Sequence, residues 1–189
     1  DRKDMKVIGN SLPRYNYNFG ISADWYGIDF SVLFQGIGKQ NWYPGAETSM
    51  FWGPYSRPYA SFIPSDFMSQ VWSEENTDAY FPRPRGYVAL GSNRELAVVN
   101  TKYLQNLAYC RLKNLSIGYT LPDKWLSKIG FEKIRVYFSG ENLLTFTKLH
   151  SDYIDPEQAS AENSIQSANG NAKLYPWSKT YSFGVNVTF

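Results

Sequence analysis

Apolar and polar side chains alternate at every second position in two segments of this chain, and residues 177–189 show it most clearly. One face of that segment carries only bulky apolar side chains apart from Lys179, and the other carries serine, threonine, asparagine and glycine. A period of two is that of a β-strand with one apolar face. Residues 15–25 repeat the pattern from Tyr15 to Trp25. Both segments are therefore predicted to be long strands.

Three further segments alternate less perfectly and predict strands over about 28–37, 107–121 and 133–146. In the second of these, Arg111 and Lys113 fall in the apolar register. Either a β-bulge shifts the phase of the strand there, or the two long side chains extend beyond the apolar surface at the outer end of the strand. The pattern leaves both explanations open.

The strands and their connections together predict a membrane barrel. Strands of about ten or more residues exceed the usual ~5–6 of globular sheets and match the ~9–11 that cross a tilted bilayer span. Short connections at 25–27 and 122–132 alternate with long ones at about 38–106 and 147–176. Outer-membrane barrels have short periplasmic turns and long extracellular loops. The long connections are therefore predicted to be extracellular.

Aromatic residues stand near both ends of the predicted strands, as the interface girdles of a barrel require. The outer group is Tyr15, Tyr17, Phe34, Phe146 and Trp177, and the inner group is Trp25, Tyr26, Tyr119 and Phe189.

Composition excludes several classes of protein. The 189 residues hold 19 Lys+Arg and 17 Asp+Glu, a net charge of +2 with no basic block, so a nucleic-acid-binding protein is excluded. No apolar run reaches the roughly 18 residues of a transmembrane helix. Five strands are also too few to close a transmembrane barrel, which needs at least about eight. We therefore expect this chain to be the C-terminal part of a larger all-β, antiparallel transmembrane barrel.

The chain contains three long or specific motifs near its C-terminal end: Tyr103–Leu149, the DPE of Asp155–Glu157 and the YPWSKTYSFGVNVTF of Tyr175–Phe189. These motifs resemble the C-terminal end of SusC/RagA-type TonB-dependent outer-membrane transporters of Bacteroidetes, and Pro13–Tyr43 and Trp72–Tyr87 resemble upstream segments of the same family. The resemblance implies a barrel of about 22 strands with a plugged lumen, of which this chain supplies the last five. It also implies a SusD-like surface lipoprotein as a hinged lid, and TonB as the energy source, acting through an N-terminal part that this sequence lacks.

The long connection at about 38–106 is rich in aromatic residues. Such residues can stack on sugar rings, anchor a protein interface, or simply pack the core of the loop itself. Arg83 and Arg85, between prolines, suit a ligand carboxylate, an acid of the lid, or a salt bridge within the loop. The candidates for contact with ligand or lid are Trp42, Tyr43, Trp52, Tyr55, Tyr59, Trp72, Tyr80, Phe81, Arg83 and Arg85.

The last strand resembles the C-terminal signal that barrel-assembly machinery reads. The signal residues are Tyr181, Phe183, Val187 and Phe189, although an amphipathic last strand needs such residues for its lipid face in any case.

Nothing in the sequence favours an enzyme or a cofactor. Glu141 has no second carboxylate at a fixed distance, as hydrolysis would need. His150 and Cys110 are the sole histidine and cysteine, so a His/Cys metal site lacks ligands. The acidic segment Ser151–Glu157 suits a loop Ca²⁺, but a solvated turn is the simpler interpretation.

The predicted function is TonB-dependent import of oligosaccharides or oligopeptides across the outer membrane, where the chain is a multi-pass barrel segment. The expected partners are the rest of the barrel with its plug, the lid lipoprotein, TonB, a glycan or peptide ligand, and outer-membrane lipid. Two alternatives remain: a soluble β-sandwich or lipocalin-like binding module, because alternation does not say which face is outside, and a passive porin.

Overall fold

The chain divides into two compact units, which we call the sheet unit and the loop unit. A computed structural model describes residues 5–46, 48–56, 63–91, 94–127, 130–162 and 175–189. The sheet unit comprises Arg14–Gly38, Tyr109–Thr147 and Trp177–Phe189. The loop unit comprises the described residues before Arg14, together with those of Lys39–Ala108 and Lys148–Pro176.

The sheet unit is one five-stranded sheet, and its long strands are the five that the alternation predicted. In chain order its strands are β1 (Arg14–Trp25), β2 (Ile28–Lys39), β5 (Tyr109–Thr120), β6 (Lys133–Thr147) and β7 (Thr180–Thr188). They lie side by side in that same order, and the pairs from β2 to β7 are antiparallel. The prediction of an antiparallel all-β chain is thus confirmed.

Alternation gives each strand one apolar and one polar face. Because directly paired residues point to the same side of a sheet, these faces line up across neighbouring strands. One row of partners runs Phe30, Ile117, Phe138 and Phe183, and the adjacent row runs Ser31, Ser116, Ser139 and Ser182. The first row belongs to the apolar face of the sheet and the second to its polar face. Leu33 is an apolar exception on the polar face, opposite Asn114.

A β-bulge in β5 explains the two cations that broke the alternation. Leu33 pairs with Asn114 and Phe34 with Leu112, so the register skips Lys113 and the phase shifts by one residue. Because of this shift Leu112 joins the apolar face and Arg111 joins the polar face, opposite Gln35. The bulge is therefore the correct one of the two explanations that the sequence left open.

The connections at one end of the sheet are short. Tyr26 and Gly27 join β1 to β2 with φ of 48° and 85°, the positive pair that a tight hairpin turn requires. A Cβ on Gly27 would also stand 2.8 Å from the Thr120 carbonyl oxygen. Both the positive φ and this close approach therefore require glycine at position 27. Helix α2 (Asp123–Leu126) lies in the connection from β5 to β6, and Gly130 follows it with φ of 76°.

Several aromatic side chains of the sheet unit pack against one another. Phe19, near the middle of β1, stacks on Phe34 with ring centroids 5.0 Å apart, and Lys113 lies over the Trp177 ring. At the end with the short connections, Trp25 packs edge-on against Tyr26, and Phe131 contacts Phe189.

The loop unit has little regular structure and its own hydrophobic core. Its elements are β3 (Asn41–Trp42) paired with β4 (Gln105–Asn106), α1 (Ser49–Trp52), α3 (Pro156–Glu162) and 3₁₀ turns at Gly53–Tyr55, Phe67–Gln70 and Gly86–Leu90. None of the helices in the described ranges has the length and apolar composition of a membrane span.

Two loop segments form short elements with some buried residues. In the stretch Ser65–Trp72, a 3₁₀ turn at Phe67–Gln70 follows Asp66, and it buries only Phe67 and, just beyond it, Val71, whereas Met68 is exposed. The segment Ser151–Glu157 is not simply a solvated turn. The Asp155 carboxylate accepts the Glu157 backbone N–H at 2.9 Å at the start of α3, and Ile154 is buried.

Candidate functional site

An aromatic core holds the loop unit together and contains several of the sequence-predicted contact residues. Phe51 and Trp52 on α1 pack edge-to-face at 4.8 Å, and Trp52 also meets Tyr103 at 5.3 Å. Edge-to-face contacts of this kind each add roughly 0.5–1.5 kcal/mol beyond the burial of area. Four candidates are fully buried here: Trp42, Trp52, Tyr55 and Phe81. The structure thus gives these four a packing role.

Buried polar groups in this core find partners, as a well-packed interior requires. The Trp52 indole N–H donates to the Pro44 carbonyl oxygen at 3.1 Å. The Tyr43 hydroxyl donates to the Leu96 carbonyl oxygen at 2.8 Å and accepts the Asn100 amide. Burial raises the pKa of Tyr43 to about 12, so its phenol stays a neutral donor at physiological pH.

A short parallel bridge fixes the segment that carries the two predicted arginines. Val71 pairs with Phe81; the Trp72 N–H donates to the Phe81 carbonyl oxygen and the Phe81 N–H to the Gln70 carbonyl oxygen, each at 2.9 Å. The Tyr55 hydroxyl donates to the Pro82 carbonyl oxygen. Since proline fixes φ and restricts the residue before it, Pro82 and Pro84 limit the backbone from Phe81 to Pro84 to extended conformations.

This segment borders a cleft of about 610 Å³, a volume within the roughly 300–1,000 Å³ of small-molecule sites. We call it the arginine cleft. The buried residues of its lining, which we call its floor, are mostly apolar, and its charged side chains are exposed. The lining residues are Tyr55, Trp72, Thr77, Ala79, Phe81, Pro82, Arg83, Arg85, Ala89, Glu95, Leu96 and Lys102.

Three cations and one carboxylate make the arginine cleft electropositive. Arg83 lies over the Trp72 ring, 5.8 Å from its centroid, and Lys102 lies over Tyr103 at 5.6 Å. Arg85 reaches Glu95 at 3.8 Å. Both members of that ion pair are largely exposed, and such pairs contribute only about 0–1 kcal/mol. The pair therefore holds Arg85 only weakly.

Sequence reasoning found Trp72, Arg83 and Arg85 but missed Glu95 and Lys102. These two residues follow Arg85 by 10 and 17 positions in an irregular stretch, where no alternation or motif marks them. Tyr80 is half-buried and hydrogen-bonds Gln105, and burial raises the pKa of its phenol. Tyr59 lies outside the described residues.

The structure gives His150, the sole histidine, a packing role in the loop unit. Its ring stacks on Tyr80 with centroids 3.7 Å apart, and its Nε2 lies 2.8 Å from the Gln70 side-chain oxygen. Desolvation by the packed rings lowers the pKa of His150 below 6.5, and Asp152 opposes part of this shift. The imidazole is therefore neutral at physiological pH and donates from Nε2 to Gln70.

The residues of the predicted assembly signal are exposed on β7 or next to it. Tyr181, Phe183 and Val187 lie on the apolar face, with Phe183 83% exposed, and Phe189 follows the strand. The opposite face carries Thr180, Ser182 and Asn186. This arrangement presents a continuous apolar strip, which both an assembly signal and a lipid-facing strand need.

On the polar face of the sheet, one ion pair spans three strands. Arg135 on β6 donates to both carboxylate oxygens of Asp29 on β2, with Nε at 2.7 Å. Gly118 on β5 lies between them, and a Cβ there would stand 2.5 Å from Arg135 and from Asp29. Glu141 faces Asn114 and Thr180 on neighbouring strands.

Known proteins show the same sequence pattern over nearly the whole chain, although no family model matches it. The TonB-dependent receptor P3 of Formosa agariphila is 33% identical over 192 residues, 98% of this chain and 17% of that receptor. The TonB-dependent receptor P26 of the same organism is 29% identical over 98% of this chain and 18% of that receptor. The chain thus spans about a sixth of the length of these relatives.

Solved structures share the fold at low identity. The RagAB peptide transporter aligns with 97% of this chain and 18% of its own, at a TM-score of 0.61 and 23% identity. The RagAB peptide importer in its open-open state gives a TM-score of 0.59 at 22% identity, again over 97% of this chain and 18% of its own.

An antiparallel sheet of long strands, apolar and exposed on one face and polar on the other, is the arrangement found in the wall of a transmembrane β-barrel. In sequence the chain is a segment of the TonB-dependent receptor family, and its fold is similar to that of the RagAB peptide transporter. The relatives are named as receptors and transporters, and none is named as an enzyme.

Proposed function

We propose that the receptor containing this chain imports oligosaccharides, or alternatively oligopeptides, across the outer membrane with energy from TonB. The observation that carries the proposal is the exposed apolar face of the sheet unit, on strands of 12 residues or more in β1, β2, β5 and β6. Lipid is the environment that suits such a face. The polar face would then line the lumen.

The two units have different tasks in this proposal. The sheet unit is part of the barrel wall, and its polar face meets a plug. The loop unit lies on the extracellular side and provides part of the capture surface and of the seat for a SusD-like lid lipoprotein. Because Trp42, Trp52, Tyr55 and Phe81 are buried, we assign direct contact with ligand or lid to Trp72, Arg83 and Arg85, with Tyr43 and Tyr80 supporting them.

The mechanism is gated passage. Ligand is captured between the extracellular loops and the lid, and it passes inward when TonB remodels the plug. Two similar solved proteins bear the names of a peptide importer and a peptide transporter, which supports transport as the general activity. The partners we propose are the remaining barrel and plug, the lid lipoprotein, TonB and outer-membrane lipid.

An uptake assay tests the function. Cells that carry the intact receptor should accumulate labelled oligosaccharide or oligopeptide, and removal of TonB should abolish the accumulation. Uptake that survives the loss of TonB would indicate a passive porin instead. Release of the protein from membranes by salt without detergent would indicate a soluble binding module and would overturn the proposal.

We also propose that the terminal strip of β7 is read during barrel assembly. Phe189 packs against Phe131 with centroids 5.3 Å apart, so replacing either ring by alanine removes the same packing contact. A signal role predicts that F189A lowers the amount of assembled receptor in the outer membrane and F131A does not. Equal losses in the two variants would reduce Phe189 to a packing role.

A further inference from the structure

We propose that the arginine cleft binds a carboxylate-bearing oligosaccharide, so that the imported ligand is an acidic glycan. This inference rests on the proposed import function and narrows its substrate class. It stands on the geometry of one side of the loop unit: an apolar floor, one half-buried tryptophan and three cations around an opening of suitable volume.

The cations are arranged for a carboxylate ligand. Arginine presents a planar fork of N–H donors that matches a carboxylate, and it keeps that fork available while stacked on an aromatic ring. Arg83 lies over Trp72 in this way. Within the described residues Arg85 is held only by an exposed contact of 3.8 Å with Glu95, so a ligand carboxylate can take over its donors at small cost. Lys102 adds a third positive charge at the same opening.

The segment is already ordered, which lowers the entropy lost on binding. The bridge between Val71 and Phe81 fixes Trp72 next to the chain that carries Arg83. Pro82 and Pro84 flank Arg83 and limit the backbone to extended conformations. The aromatic side chain and the charged side chains therefore keep their spacing before any ligand arrives.

The backbone of the cleft favours a sugar over a peptide. An extended peptide typically binds by adding a strand to free backbone N–H and C=O groups. Here the carbonyl oxygens of Phe81 and Pro82 already accept hydrogen bonds, and the Phe81 N–H donates to Gln70. Pro82 and Pro84 carry no N–H at all. Recognition is left to side chains, which suits the hydroxyl and carboxylate groups of an acidic sugar.

Three acidic residues near the arginine cleft weaken its attraction for an acidic ligand. Glu74, Glu75 and Asp78 stand on the stretch between Trp72 and Ala79 without lining the cleft. Their repulsion weakens with distance and with salt, whereas the cations contact the ligand directly. We therefore expect the variant E74Q/E75Q/D78N to bind an acidic oligosaccharide more tightly than the unaltered receptor.

The test uses the intact receptor in detergent and three probes measured by calorimetry: a short oligogalacturonate, a maltooligosaccharide of the same length and an oligoglutamate. Oligogalacturonate should bind most tightly, and more weakly as salt increases. R83Q/R85Q should weaken it by about tenfold or more, because two charge-assisted contacts are lost. K6Q/K148Q, which removes two exposed lysines outside the cleft lining, is the matched control and should leave the affinity unchanged.

The outcomes separate this inference from the import function. Equal binding of the neutral and acidic sugars, or an equal effect of both double variants, overturns the acidic-glycan inference while import can still be demonstrated. Tighter binding of oligoglutamate also overturns it and assigns the cleft to acidic peptides. If no probe of any kind enters energised cells, the proposed import function fails as well.

Discussion

The sheet unit and the loop unit use similar apolar and aromatic residues in opposite ways. On the apolar face of the sheet, Phe183 is 83% exposed, whereas in the core of the loop unit Trp52 is 0% exposed. The difference follows from sequence spacing. Alternation puts every second side chain of a long strand on one face, which a single sheet cannot cover by itself, whereas clustered aromatics in a long connection can converge on one another.

Exposure of large apolar residues has two different meanings in this chain. In the loop unit an exposed residue such as Met68 stands alone, as is normal on protein surfaces. In the sheet unit the exposed residues form one continuous face, and such a face indicates a surface with an apolar partner. Lipid is the partner that we propose.

The largest effect should come from the core of the loop unit. Phe81 contacts Phe51, Phe67 and Tyr103 and is 1% exposed. F81A leaves a cavity and should destabilise the loop unit by about 3–5 kcal/mol. The measurement is hydrogen exchange of the Trp72 backbone N–H, which donates to the Phe81 carbonyl oxygen and should exchange faster in F81A. M68A, at an exposed position, is the control and should change exchange little.

A charge on the apolar face of β7 should follow in size. Val185 lies on that face near the middle of the strand. V185R should destabilise the receptor in a bilayer and lower its free energy of unfolding by about 2–4 kcal/mol, because the arginine would be immersed in hydrocarbon. S182R, on the polar face, should cost much less. Equal costs in a denaturant titration from lipid vesicles would contradict the assignment of the two faces.

A side chain at Gly118 should disturb the polar face more mildly. G118V places carbon where Asp29 and Arg135 meet, so it should break the ion pair at a cost of about 1–3 kcal/mol. S116V, two residues away on the same face, is the matched control. If both variants lower the thermal midpoint of the receptor equally, the close approach at Gly118 has no special weight.

The smallest effect should be a pH dependence of the loop unit through His150. Because the folded-state pKa lies below 6.5, the neutral ring stabilises the fold, and that contribution is fully present above pH 6.5. It is lost as the pH falls through the lowered pKa. Limited proteolysis of the loop should therefore accelerate in mild acid. H150F keeps the stacking on Tyr80 and should remove the acceleration, while an unchanged acceleration in H150F would exclude His150 as its source.

The sheet was predictable from sequence because the two faces of a long strand appear as an alternation of apolar and polar residues along the chain. The alternation in 15–25 and 177–189 requires no knowledge of distant residues. At Arg111 the alternation allows either a β-bulge or a long side chain that extends beyond the apolar surface. Sequence does not choose between them, because a bulge depends on the register with the neighbouring strand. Only the pairing of Phe34 with Leu112 shows that the phase shifts.

The site was predictable only in part, for a physical reason. Trp72, Arg83 and Arg85 stand in a compact, proline-marked stretch and were found. Lys102 and Glu95 reach the cleft through an irregular fold, and His150 reaches Tyr80 across seventy residues of sequence. Contacts between distant loop segments depend on packing that has no period, so sequence alone did not indicate them.

The most direct test is the accessibility of spin labels placed one by one at residues 182–187 of β7 in the receptor reconstituted into lipid. Labels at Phe183, Val185 and Val187 should collide with oxygen dissolved in the hydrocarbon, and labels at Ser182, Gly184 and Asn186 should be shielded from it. A strict alternation is the predicted result. Reversed alternation, or equal accessibility at all six positions, would contradict the claim that the apolar face of the sheet meets lipid.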